Sequence, residues 1–333
     1  MPAQSRYAGI IGTGSALPDR VLTNFDLERM VDTSDEWIRT RTGIRERRVA
    51  GEDVAASDLS VEAAREALAN SGVAPEEIDL IIVATVTPDT LFPSTACLVQ
   101  ERLGAKGAAA FDLAAGCTGF LYALGVGQQF ICSGTYEKVL IVGVDLLTKI
   151  LNWEDRNTCV LFGDGAGAVV LAPVPPGEGI LSLYLGADGS GGPLLVMPAG
   201  GSRLPASRDT VDRKLHTIHM QGREVFKFAV RILGEAALAA LERAGLQKED
   251  VDLLIPHQAN IRIVEAALKR LGLSPEKAYV NLDRYGNMSS ASVPVALDEA
   301  RREGRLQKGD NLVLVSFGAG LTWGAAVVKW SMD

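Results

Sequence analysis

The chain has 333 residues, of which 47% are apolar and 22% charged. That is a globular composition with room for one large domain or two of ordinary size. Its net charge of −8 opposes general nucleic-acid binding, which needs a positive field to displace phosphate counterions. No apolar run reaches the roughly 18–20 residues of a membrane span, so no membrane partner is expected.

In chain order, Met1–Tyr7 lacks the apolar core of a signal peptide. Ala64–Gly72 reads as an amphipathic helix closed by a C-cap glycine, followed by an acidic loop and the apolar strand Leu80–Ile82. Ala108–Leu113 reads as a buried strand, and the Pro-free stretch Phe120–Cys132, closed by Gly134, as a helix. Between them lies Cys117, in Ala-Ala-Gly-Cys-Thr-Gly-Phe. A thiol at this strand-to-helix turn sits near the positive end of a helix, where free backbone N–H groups favour thiolate. The pattern fits a nucleophile and equally a small buried hydrophobe. The other cysteines, Cys97, Cys132 and Cys159, form no CxxC spacing; no metal site or disulfide framework is expected, and a reducing cytoplasm fits best.

The second half repeats this design. Ala237–Gly245 and Leu253–Ile255 lie over Ala64–Gly72 and Leu80–Ile82 at a constant register of 173 (245 − 72, 252 − 79). The same register carries Val139–Val142 onto Leu312–Val315, and Gly165–Leu171 resembles Trp323–Lys329 at another offset. The reading is two related α/β halves, 1–172 and 179–333, joined by Pro173–Gly177, with each sheet covered on both faces. The run Gly165–Ala168 lacks the lysine of a phosphate loop and reads as close backbone packing into a strand.

Of three histidines, His257 follows the repeated strand directly, in Ile-Pro-His-Gln-Ala-Asn, before a helix expected over Ile261–Leu271. Strand C-terminal ends are where open α/β sheets place ligands. Asn287, in Tyr-Gly-Asn-Met-Ser-Ser-Ala, precedes a helix expected over Val293–Glu303. On pattern alone His257 also fits a buried, satisfied histidine, and Asn287 a helix cap.

Together these three segments resemble the Cys-His-Asn triad of the β-ketoacyl-acyl-carrier-protein synthase III family. The resemblance extends to Thr33–Ile44, Phe162–Ala168 and Phe317–Gly324, and so to nearly the whole chain. It implies a duplicated thiolase-like fold, a layered α-β-α-β-α sandwich. It also implies an enzyme that condenses a short acyl-CoA, acetyl-CoA before longer primers, with malonyl-acyl-carrier protein, initiating type II fatty-acid synthesis. Cys117 would store the acyl group, His257 and Asn287 would donate to the enolate left by decarboxylation, and the N–H groups of Cys117 and Ala319 would form the oxyanion hole. Elongating condensing enzymes use two histidines, so Asn287 points to the initiating class. The resemblance further implies CoA contacts at Thr33, Trp37, Arg41, Arg156, Ala259 and Asn260, with Trp37 and Arg156 around the adenine. Phe92 from a partner subunit, together with Phe317, would bound the acyl pocket.

CoA thioesters would be substrate and product, with no permanently bound cofactor, and the enzyme would be a cytoplasmic homodimer. Lys227 with Arg231, and Arg262 with Lys269, each share a helix face and could attract an acidic carrier protein; solvated faces explain them as well. Three rival readings remain: a same-fold acyltransferase with another acceptor, a cysteine-dependent thioesterase, and a silent acyl-binding protein.

Overall fold

The apolar runs form two mixed sheets in the computed structural model, which describes residues 6–333; most of the Met1–Tyr7 segment read for a leader lies outside the described residues. The first sheet contains β1 (Tyr7–Ala16), β2 (Leu80–Ala84), β3 (Ala109–Leu113), β4 (Val139–Leu146) and β5 (Asp164–Val174), in the order β1-β5-β4-β2-β3. The second contains β6 (Gly179–Ala187), β7 (Leu253–Pro256), β8 (Asn311–Gly318) and β9 (Thr322–Lys329), in the order β7-β8-β9-β6.

Read from its other edge, β6-β9-β8-β7 repeats β1-β5-β4-β2 with the same sense of pairing at every step. Even the register agrees: Leu80 faces Val139 in the first sheet, and Leu253 faces Leu312 in the second. The position of β3 is taken in the second sheet by a single parallel bridge, Leu254 to Ala278.

The longer helices among the described residues are α1 (Asp35–Thr42), α2 (Ala56–Ser71), α3 (Thr95–Leu103), α4 (Gly119–Cys132), α5 (Gly222–Ala244), α6 (Ile261–Leu271) and α7 (Ser292–Arg302). α2 and α3 lie on the outer face of the first sheet, α5 and α6 on the outer face of the second, and α4 and α7 fill the space between the sheets. The layers are therefore α-β-α-β-α.

Strand periodicity explains the arrangement. Ile81 and Val83 of β2 enter the outer core while Leu80, Ile82 and Ala84 enter the central one. In β8, Val313 and Val315 face outward while Leu312 and Leu314 face the centre. Strands buried on both faces need apolar residues at every position, which is why they read as continuous runs. The Gly165–Ala168 run does pack closely: a Cβ on Gly167 would sit 2.7 Å from the Val295 backbone nitrogen of α7. Among the described residues no helix is long and apolar enough to cross a membrane.

Candidate active site

β3 ends at Leu113, and the chain then makes a tight 3-10 turn, Gly116–Thr118, before α4. Gly116 has φ +54, and a Cβ there would lie 3.1 Å from the Ala319 nitrogen, so a glycine lets the two loops meet. The turn is tied to the second half of the chain. Ser316 Oγ donates to the Cys117 carbonyl at 2.7 Å, and the Thr118 and Thr322 hydroxyls are 2.7 Å apart.

His257 follows the last residue of β7, and its N–H donates to Val315 O at 2.7 Å. Asn287 is held in the opposite direction, by the first half. Its N–H donates to Leu161 O at 2.9 Å, and its carbonyl accepts from the Gly163 N–H at 3.0 Å. Its side-chain Oδ1 accepts from the Ser289 N–H at 2.8 Å, leaving the amide NH2 as the free donor. Each half therefore secures a site residue of the other.

Cys117, His257 and Asn287, separated by up to 170 positions (287 − 117), line one small cavity of about 90 Å³ together with Phe317 and Gly318. Phe317 packs edge-on against the His257 ring, with centroids 5.4 Å apart. On its other side Cys117 borders an apolar chamber of about 180 Å³, shared with Val86, Leu147, Phe162, Met197 and Ile218. The sulfur stands between a chamber that carries His257 and Asn287 and an apolar one. Phe317 belongs to the first rather than to the apolar chamber expected of an acyl pocket. Phe92 lines neither chamber within the protomer and is 85% exposed.

Electrostatics revises the expectation of a resting thiolate. Burial pushes the Cys117 thiol up to about 12; the Ser289 hydroxyl and the N–H groups of Cys117 and Ala319 oppose the rise, while the Asp145 carboxylate adds to it. Burial likewise holds His257 down to about 3. At neutral pH the pair is a thiol beside a neutral imidazole. The turn before α4 does present the Cys117 N–H to the sulfur, and the loop after β8 adds that of Ala319, but loss of solvent outweighs them.

The chamber with His257 and Asn287 is also lined by Phe226, Ala259 and Asn260. Asn260 caps α6, accepting from the Arg262 N–H at 2.9 Å, and its amide donates to Arg41 O at 3.0 Å, tying this rim to α1. There Trp37 carries two guanidiniums, Arg41 at 5.1 Å and Arg156 at 5.2 Å from its ring. Thr33, just before α1, has a buried hydroxyl oxygen without a partner. Arg262 lies 5.4 Å over the Phe226 ring and so stands at the mouth. Lys227 is exposed and paired with Glu224 at 2.8 Å, while Arg231 and Lys269 are exposed on their helices. Among the described residues no cluster of three or more His, Cys, Asp or Glu could hold a metal ion.

Sequence reasoning missed the apolar chamber, because Val86, Met197 and Ile218 come from loops with no pattern. It also missed Asp145 and Ser289. A charged residue inside the apolar strand β4 was the available signal for the first.

The duplicated sheets, with a thiol at the first half's turn and an imidazole and an amide from the second, define the thiolase-like class of condensing enzymes. Two family descriptions match: 3-Oxoacyl-[acyl-carrier-protein (ACP)] synthase III over residues 111–189, and its C-terminal counterpart over 241–330. The chain is 65% identical over 323 residues to beta-ketoacyl-[acyl-carrier-protein] synthase III of Desulfitobacterium hafniense, covering 97% of this chain and 98% of that protein. It is 62% identical over 324 residues to the enzyme of the same name from Caldanaerobacter subterraneus, with the same coverage. The crystal structure of 3-oxoacyl-[acyl-carrier-protein] synthase III from Aquifex aeolicus superposes with a TM-score of 0.90 at 49% identity, covering 97% of this chain and 100% of that one. The chain belongs to the β-ketoacyl-acyl-carrier-protein synthase III family and is an acyl-transferring condensing enzyme.

Proposed function

We propose that this protein initiates fatty-acid synthesis by building one carbon–carbon bond on one sulfur, and that the convergence of Cys117, His257 and Asn287 on a single cavity carries the reading. Cys117 takes the acyl group from an acyl-CoA primer, releasing CoA, and holds it in the apolar chamber. The tetrahedral oxyanion is met by the N–H groups of Cys117 and Ala319, the two that already reach the sulfur. The malonyl group of malonyl-acyl-carrier protein then enters the chamber with His257 and Asn287 and loses CO2. The enolate oxygen receives hydrogen bonds from the neutral His257 ring and the free NH2 of Asn287. Its carbon attacks the acyl carbonyl, giving a 3-oxoacyl-acyl-carrier protein and freeing the sulfur.

CoA lies along the rim, its adenine between Trp37 and Arg156. Thr33, Arg41, Ala259 and Asn260 line the nucleotide and pantetheine path; the unpartnered Thr33 hydroxyl supports this placement. The carrier protein docks at Arg262, with Lys227, Arg231 and Lys269 around it. Acetyl is the favoured primer, and Phe92 from a second copy bounds the acyl pocket. The exposure of Leu91 and Phe92, 84% and 85%, supports a homodimer at that loop. Residues 1–172 and 179–333 are read as duplicated halves, and four free cysteines suit the cytoplasm.

The test is a panel of acyl-CoA primers with malonyl-carrier protein, read by intact mass of the product. A 3-oxoacyl product from acetyl-CoA is expected. Free acid without condensation would instead establish a thioesterase, and turnover only with another acceptor a same-fold acyltransferase.

A further inference from the structure

Asp145 is a carboxyl group fully buried near the end of β4, and among the described residues it has no cation partner. Five donors satisfy it. Oδ1 accepts from the Val86 N–H at 2.7 Å and from the Thr85 and Thr87 hydroxyls at 3.1 and 3.2 Å. Oδ2 accepts from the Ser290 hydroxyl at 2.8 Å and the Ser290 N–H at 3.2 Å. One oxygen therefore serves the loop after β2, and the other serves the turn before α7.

Both segments end at the site. Val86 and Ser289 line the apolar chamber beside Cys117. The Ser289 N–H holds Asn287 Oδ1 at 2.8 Å. Ser289 itself has φ +50, a left-handed backbone that a non-glycine residue keeps only when its surroundings enforce it. The enforcing contact is next door, in Ser290, whose hydroxyl also donates to Ala84 O at 2.9 Å. An apolar residue would fill the place of Asp145 at lower desolvation cost but could not bridge five donors.

We propose that Asp145 is a positioning residue for the condensation, clamping the Thr85–Thr87 loop and the Ser289–Ser290 turn so that Asn287 and the chamber wall keep their places. The clamp also sets a charge near the sulfur. Of the groups facing Cys117, Asp145 from β4 is the carboxyl, itself pushed up by burial against its hydrogen bonds from Val86, Ser289 and Ser290; His257 from the end of β7 is neutral, and Ser289 and the Ala319 N–H are dipoles. Burial is the main reason the resting thiol stays protonated, and a carboxylate there adds to it. This inference rests on the family reaction but is tested without depending on it.

The experiment compares Asp145→Asn and Ser290→Ala with the parent enzyme. Iodoacetamide alkylation of the Cys117 peptide is followed against pH by mass spectrometry, alongside malonyl-carrier decarboxylation. Asp145→Asn should move the alkylation inflection down, because a neighbouring like charge is removed, while decarboxylation falls. Ser290→Ala keeps the charge and loosens the turn, so decarboxylation should fall about fivefold with the inflection unmoved. Parental decarboxylation by a folded Asp145→Asn protein overturns the clamp, and an unmoved inflection overturns the charge beside the sulfur. If Asp145→Asn does not fold, Ser290→Ala decides alone: parental decarboxylation there overturns the clamp. Parental condensation, measured in the same series, separates this outcome from failure of the family reaction.

Discussion

Gly318 touches no reacting atom, yet replacing it should disable acyl transfer. A Cβ at Gly318 would lie 2.6 Å from the Cys117 nitrogen, 3.0 Å from its Cβ and 3.1 Å from its Cα. Ordinary contact begins near 3.4 Å, so the Gly318→Ala loop must retreat by about 0.8 Å (3.4 − 2.6) from backbone that has no flexible end to yield. That retreat parts the two N–H groups that converge on the sulfur, those of Cys117 and Ala319. Losing one oxyanion donor costs about 10²–10³ in rate, or about 2.7–4 kcal/mol, and a misplacement near 1 Å costs about 10². Acylation of Gly318→Ala by acetyl-CoA, followed as a mass increase on the intact protein, should therefore be about 100-fold slower. Gly107→Ala is the control, since a Cβ there meets nothing within 4 Å. Parental acylation by a folded Gly318→Ala protein would refute the close-approach argument and the oxyanion assignment with it.

Asn287→Ala should slow malonyl-carrier decarboxylation about 10²–10³-fold while acyl transfer from acetyl-CoA changes little; equal losses in the two half-reactions contradict the division between the chambers. His257 is held near 3 in the fold against an ordinary 6.5, so the unfolded chain binds its proton first as pH falls. The parent should therefore lose about 1 kcal/mol of stability by pH 5.5 and about 3 by pH 4.5 from this one group. His257→Gln, followed by urea unfolding at each pH, should show a flatter profile, and parallel profiles would count against the buried neutral imidazole. Arg262→Glu should raise the KM for malonyl-carrier protein, most at low salt, with the KM for the acyl-CoA primer little changed; an unaltered carrier KM removes Arg262 from the docking surface.

Much of the frame was readable from local pattern. Each β-strand buried on two faces leaves a continuous apolar run, and each helix ending in a left-handed residue leaves a glycine. Gly72 and Gly245 do close their helices, at φ +68 and +70. The 173-residue register was visible because the two copies kept the strand starts Leu80 and Leu253. The chambers were not readable. Their walls draw single residues from Val86, Leu147, Met197 and Ile218, whose approach depends on how separate loops fold over the sheet. Phe317 shows the limit within a motif, because its place in the chain did not reveal which side of the sulfur it faces.

The sequence by itself determined the α/β class and the repeat, because these depend on periodicity and residue type, and its resemblance to a known family pointed to Cys117, His257 and Asn287. Only the tertiary structure decided the state in which they wait. Solvent removal is a property of the assembled layers, and it leaves Cys117 a thiol and His257 neutral where the helix start alone argued for a thiolate. The fold also decided that Asp145, one charge in an apolar strand, lies beneath the site, because only packing brings Val86 and Ser290 to its two oxygens.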